Sequence, residues 1–236
     1  MIKHFLSLEW KSFFRSASFG KSLGVKILMG FFALYFLVTF LIVGVALYPG
    51  LKELYPEQDP LSIVNNYLFY WILGDLIFRF FFQKLPIMSV KPLLTLPIKR
   101  RKGVNYVLGK SAFSFFNFLS LFAIVPFGIT LLINGYPASA VLIWMLALFI
   151  TTLIINYLNF IIESFSAETE LSFLPVIVLT GGLFALDYFG IISFTGLISS
   201  GYNAIYSNAY LIGVPILILI ALYFFNFKIL RKKLFL

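Results

Sequence analysis

Long uncharged apolar runs alternate along this chain with short charged segments, and the runs define the elements. Nothing between Lys26 and Lys52 is charged. A helix crosses the hydrocarbon of a bilayer in about 20 residues. A first span is therefore predicted over 23–48, ended by Pro49 and Gly50. A second is predicted over 64–84, the weakest run, because it carries Asp75 and Arg79. From 111 to 162 no residue is charged, a stretch of 52 residues that suits two crossings. The turn residues Asn134, Gly135, Tyr136 and Pro137 divide it into spans over 111–133 and 138–162. A fifth span is predicted over 171–189, with Asp187 near its end. The next uncharged stretch, 188–227, is rich in Gly, Ser, Thr and Asn in its middle. That middle reads as a partly buried loop or short interfacial helices, which leaves a sixth span over 209–227. Pro126, Pro175 and Pro215 fall inside or at the start of spans and predict kinks.

Composition supports lipid as the main solvent. Hydrophobic residues make up 61% of the 236 and charged residues 11%, where an ordinary soluble domain has about 25% charged. Phe alone occurs 30 times and the mean hydropathy is +1.00. A soluble fold of this size cannot hide so much apolar surface, which excludes a soluble enzyme and a disordered tail. Cysteine is absent, which excludes a disulfide scaffold and thiolate metal sites. Continuous apolar runs, rather than ten-residue alternations, argue against a β-barrel. The expectation is an all-α polytopic membrane protein, 1–236 forming one permease-like domain. The first run is not read as a cleaved signal peptide, because its apolar core is too long.

The net charge of +9 matters through its distribution. Before span one stand Lys3, Lys11, Arg15, Lys21 and Lys26. Between spans two and three stand Lys84, Lys91, Lys99, Arg100, Arg101, Lys102 and Lys110. The tail holds Lys228, Arg231, Lys232 and Lys233. With six crossings these regions share one side, which then carries 16 of the 18 basic residues. Basic residues accumulate on the cytoplasmic face, so both termini are expected in the cytoplasm, and Glu53, Glu57 and Asp59 outside. No nucleic acid is expected as a partner, since the charge is accounted for by topology.

Two cytoplasmic pieces stand out. Residues 1–22 combine Trp10 and several Phe with Lys and Arg and read as an amphipathic helix on the membrane surface, suited to anionic lipids, or simply as a flank of span one. The second piece runs Leu93, Leu94, Thr95, Leu96, Pro97, Ile98, Lys99, Arg100, Arg101, Lys102, and continues to Gly109 and Lys110 at the start of a span. Its charges are explained by orientation alone. Its apolar half is not, because apolar residues on a cytoplasmic loop need a cover. A short helix can start near Lys99 and run into span three.

This string, followed by Gly109-Lys110, resembles the cytoplasmic loop of type-2 ABC permeases, and it is closer to an uncharacterised bacterial branch than to the well-studied exporters. That family also has a surface helix, six spans, cytoplasmic ends and an excursion between spans five and six. The resemblance implies a permease subunit in the cell inner membrane, driven by a separate cytoplasmic ATPase. It implies pairing with a second copy or a second permease half. It makes Leu94, Leu96, Pro97, Ile98, Lys99, Arg100, Arg101 and Lys102 the coupling loop.

The chain itself offers no fuel site. A phosphate cradle has four residues between its glycines. Gly103 and Gly109 enclose five. The lone imidazole, His4, supports neither a hydrolase triad nor a metal set, so no catalytic role and no cofactor are expected. The intramembrane polar residues carry the remaining hypotheses. Asp75 and Arg79 share a face of span two and can pair, with Gln83 one turn on. Asn156, Asn159 and Glu163 form a stripe on span four that Asn117 on span three can meet. These read as packing contacts or as part of a translocation interface. Beside the permease, a membrane scaffold or assembly protein and a secondary carrier remain open.

Overall fold

The computed structural model describes residues 23–83, 100–166 and 173–233. The surface helix expected over 1–22 and the loop residues Leu94, Leu96, Pro97, Ile98 and Lys99 lie outside them. Every regular element among the described residues is a helix: α1 Leu23–Leu54, α2 Pro60–Phe82, α3 Arg100–Ala112, α4 Phe115–Ile133, α5 Ala138–Ser166, α6 Leu174–Tyr188, α7 Phe194–Ser207 and α8 Gly213–Lys233, the last preceded by a short 3-10 turn, Ala209–Ile212. Five stretches are long and apolar enough to cross a membrane: Gly30–Leu54, Pro60–Phe82, Arg101–Ile133, Ala138–Ser166 and Ala209–Lys232. Large apolar side chains cover their outer surfaces, such as Phe31, Leu34 and Ile42 on α1. That is the arrangement expected where lipid is the solvent.

The bundle is organised around α5, which packs against α2, α4, α7 and α8. Its buried face runs through Val141, Trp144, Leu148, Ile155 and Phe160. Towards the end that carries Asp59 and Tyr136, Trp144 joins Leu61, Leu68, Phe127 and Leu131 in one core. Towards the opposite end, Tyr157 and Phe160 join Val104, Val107 and Leu108 of α3 and Leu230 of α8 in another.

Local chemistry explains the helix ends. Asp59 caps α2, its Oδ2 accepting from the Ser62 backbone N–H at 2.9 Å, and Pro60 supplies the first turn. α4 stops at Gly135 (φ 87°), with the Tyr136 N–H closing on the Leu131 carbonyl. The expected turn over 134–137 is therefore present, and the Tyr136 hydroxyl donates to Asp59 Oδ1, tying the two loops at this end.

The structure corrects three expectations about breaks. α1 runs through Pro49 and Gly50 to Leu54. One lost hydrogen bond does not end a helix whose surroundings offer its backbone no other partner. Pro175 stands in the first turn of α6 and Pro215 among the first three residues of α8, where no kink is needed. The long span expected over 111–133 is joined at its start by α3, with the break at Phe113–Ser114.

The region after α5 differs most. α6 has 15 residues, about 22 Å of helix, less than the roughly 30 Å of hydrocarbon. Of the two alternatives for the polar segment, a partly buried loop or short helices, the structure has a short helix, α7. Val176 of α6 shares a core with Leu76 of α2, and Phe184 meets Tyr70 edge-on. From there α7 takes over: Phe194 stacks on Phe69, and Asn203 is bonded to Asn65. The two short helices lie end to end along α2, and their break stands beside its middle.

Candidate functional site

Arg79 is fully buried near the end of α2. A guanidinium cannot lose its charge, so burial demands acceptors on every side. Four N–H groups find them. Nε donates to Asp75 Oδ2 at 2.8 Å, one turn back on the same helix. NH1 donates to Asn117 Oδ1 at 2.5 Å and Gln83 Oε1 at 3.3 Å. NH2 donates to the Phe116 carbonyl at 3.1 Å.

Two of these acceptors lie where α3 gives way to α4. The last carbonyls of α3 have no partner within that helix. Asn117 supplies one: its Nδ2 donates to the Ser111 carbonyl at 3.1 Å and the Ala112 carbonyl at 2.8 Å. Arg79 holds the other end of the same amide. The network continues through Gln83, whose Nε2 donates to Asn156 Oδ1 at 2.6 Å. Asn156 Nδ2 donates to Ser111 Oγ at 3.1 Å, and Ser111 Oγ to the Leu108 carbonyl at 2.9 Å. One cation thus locks α2, α3, α4 and α5 together. With four of its five donors engaged by the protein, this arrangement is a joint rather than a ligand-binding pocket.

The expected pairing of Asp75 with Arg79 is present, and Gln83 joins it. Asn117, left open as a partner for the stripe on α5, meets Arg79, and Ser111 stands beside Asn156. Asn159 is fully buried, and neither amide atom has a hydrogen-bond partner among the described residues. Glu163 is half-buried one turn further on. Of the expected coupling loop, Arg100 opens α3, and Arg101 and Lys102 are exposed in its first turn. The near-match to a phosphate cradle over 103–111 lies wholly within that helix, so it forms no loop.

Two further polar clusters escaped the sequence reading. In one, Trp144 Nε1 donates to Asn65 Oδ1 at 2.8 Å and Asn65 Nδ2 to Asn203 Oδ1 at 2.7 Å. Beside it Ser199 Oγ donates to Asn66, and the Tyr202 and Thr151 hydroxyls share a hydrogen bond. Ser199, Tyr202, Asn203 and Tyr206 follow helical spacing, a signal in the sequence that marks a polar face on α7. The second cluster bridges the break between α6 and α7. α6 ends at Gly190 (φ 70°), and the chain restarts as a helix at Ser193, whose Oγ accepts from the Gly196 N–H at 3.2 Å. Asp187 spans the gap. Its Oδ1 accepts from the Thr195 backbone N–H at 2.8 Å, and its Oδ2 from Thr195 Oγ1 at 2.7 Å and Tyr70 OH at 3.2 Å. A carboxylate at the start of α7 also suits the helix dipole.

No curated protein and no solved structure matches this chain. Residues 9–236 match DUF5687, a family of unknown function, and the chain belongs to that family.

Proposed function

We propose that this chain is the membrane-embedded permease subunit of an ABC exporter, working with a separate cytoplasmic ATPase and pairing with a second copy or a second permease half. In this reading the chain crosses the inner membrane six times, with α6 and α7 together making the fifth crossing. Both termini and the segment between α2 and α3 then lie in the cytoplasm. The sequence has no phosphate cradle of its own, so work must arrive through a cytoplasmic contact.

The observation that carries this reading is the Arg79 joint. α3 continues the basic segment whose residues resemble a permease coupling loop. Its far end is bonded through Asn117, Ser111 and Arg79 to three membrane helices. A push on α3 is therefore delivered into the bundle rather than absorbed at a flexible hinge. The test is co-purification of the full chain with a cytoplasmic ABC ATPase from the same genome. Alanine replacement of Leu94, Leu96, Pro97 and Ile98 together with Lys99, Arg100, Arg101 and Lys102 is expected to abolish capture while leaving the chain folded. Capture that survives these replacements rejects the contact.

A secondary carrier is the second reading, favoured by the break between α6 and α7 with Asp187 at its centre. Discontinuous helices meeting at mid-membrane are a common ground plan for carriers. Reconstituted transport driven by an ion gradient without ATP selects it.

A further inference from the structure

A cleft of about 450 Å³ lies between α1, α2, α4 and α5, away from the Arg79 joint. α1 leans on α4 along its length and touches α2 little, so the cleft opens sideways between α1 and α2, where Val43 and Tyr67 are exposed. Its floor is Phe127, Trp144 and Leu148, all buried. Along α1 it reaches from Thr39 to Leu51, about 18 Å of helix.

The lining selects the occupant. Only Thr39, Tyr67, Trp71 and Trp144 of its lining carry a side-chain polar atom, and the Trp144 N–H is already bonded to Asn65; a stable water needs two or more polar partners, so water is a poor filler. A second helix is about 10 Å across and needs roughly three times the volume over the same length. Spread over its length, the cleft is about 25 Å² in section, room for one extended hydrocarbon chain. Its length is close to the roughly 15 Å depth of one leaflet. Leu51, at one end of the cleft, is followed directly by Lys52 and Glu53, one charge of each sign, which suits a zwitterionic headgroup.

We propose that this cleft is a lipid site that draws one acyl chain of a zwitterionic phospholipid out of the adjoining leaflet and seats it against Trp144. The proposal needs only that α1, α2, α4 and α5 lie in a bilayer, and it stands or falls separately from the ATPase contact.

Trp144 supplies the readout. It is 1% exposed, so bulk lipid does not reach it, and the only other tryptophans are Trp10 and Trp71. The full chain carrying Trp10→Phe and Trp71→Phe is reconstituted in phosphatidylcholine vesicles, with or without bromine on the acyl chains. Bromine quenches indole emission on close approach. The expected result is that Trp144 loses at least half of its emission in the brominated vesicles. Filling the cleft from either wall, by Val43→Phe or Val64→Phe, is expected to restore most of it in protein that still elutes as a single species. Equal emission in the two kinds of vesicle overturns the proposal, whether the cleft holds water or a segment of a second copy. Quenching unchanged in both filled variants overturns it too.

Discussion

Arg79 is held by four acceptors, two from α2 and its cap residue and two from the first turn of α4, while Asp75 has one partner and keeps 13% of its side chain exposed. The two ends of this ion pair are therefore unequal. Asp75→Asn keeps an acceptor oxygen but removes the counter-charge of a buried guanidinium, and is expected to cost about 1.5–3 kcal/mol, the scale of a hydrogen bond to a charged group. Arg79→Leu strands a carboxylate and the Asn117 amide together, and should cost about 3–5 kcal/mol. The double replacement Asp75→Leu with Arg79→Leu should fall between them, because it removes the stranded charge but not the stranded amide. Thermal unfolding in one detergent ranks the three, and equal losses would sink the pairing.

Asn159 makes the opposite case. A buried amide without partners costs about 1–3 kcal/mol, so Asn159→Leu is expected to leave the fold unharmed or to raise its melting temperature. A clear loss of stability would show that the amide has a partner beyond the described residues. Sequence spacing was enough to place Asp75, Arg79 and Gln83 on one face, because neighbours on one helix obey a fixed period. It could not pair Asn117 with Arg79, 38 residues apart. That contact depends on how α2 crosses the break between α3 and α4.

At the scale of elements, α1 depends on one close approach. A methyl added at Gly44 would collide with the backbone of Ala123 on α4, and apart from α4 little holds α1 to the bundle. Gly44→Val is expected to cost about 1–3 kcal/mol and to make α1 the first element to open, read as faster hydrogen exchange over 30–54 than over α5. Gly128 also faces a neighbour closely, but there the obstacle is the Met145 thioether, a flexible chain that can move aside. Gly128→Ala should therefore be the milder change. The long spans were legible from hydropathy because uninterrupted apolar runs are a sufficient signal. The helix over Phe194–Ser207 was legible only as one of two alternatives, because its polar residues lie on the face packed against α2 and α5. A hydropathy window averages such a helix into a loop, although its spacing follows the helical period. The stop at Gly190 and the restart at Ser193 are likewise ordinary helix signals, ambiguous in sequence because they do not tell at what depth they act.

For the whole molecule, what matters is whether α6 and α7 act as one crossing or as an excursion that returns. Neither helix is long enough alone, at 15 and 14 residues, yet placed end to end they exceed the 23 residues of α2. Asn203 is bonded to Asn65 near the start of α2, and Tyr206 packs into the core beside Tyr136. The end of α7 thus stands level with the Asp59 loop, and Asn208 should share its compartment. α8 then returns, bringing Lys228, Arg231 and Lys232 level with the start of α3. Its contacts with α3 through Tyr223 to Asn105 and through Leu230 fit that direction. Because the chain has no cysteine, single replacements report position without background. In intact cells, a membrane-impermeant maleimide should label Lys52→Cys and Asn208→Cys, and should reach Arg101→Cys and Lys232→Cys only after the membrane is opened. Labelling Asn208→Cys and Arg101→Cys from the same side would mean that the paired helices turn back. The basic tail would then leave the compartment of the basic loop, and the proposed coupling through α3 would lose its topology.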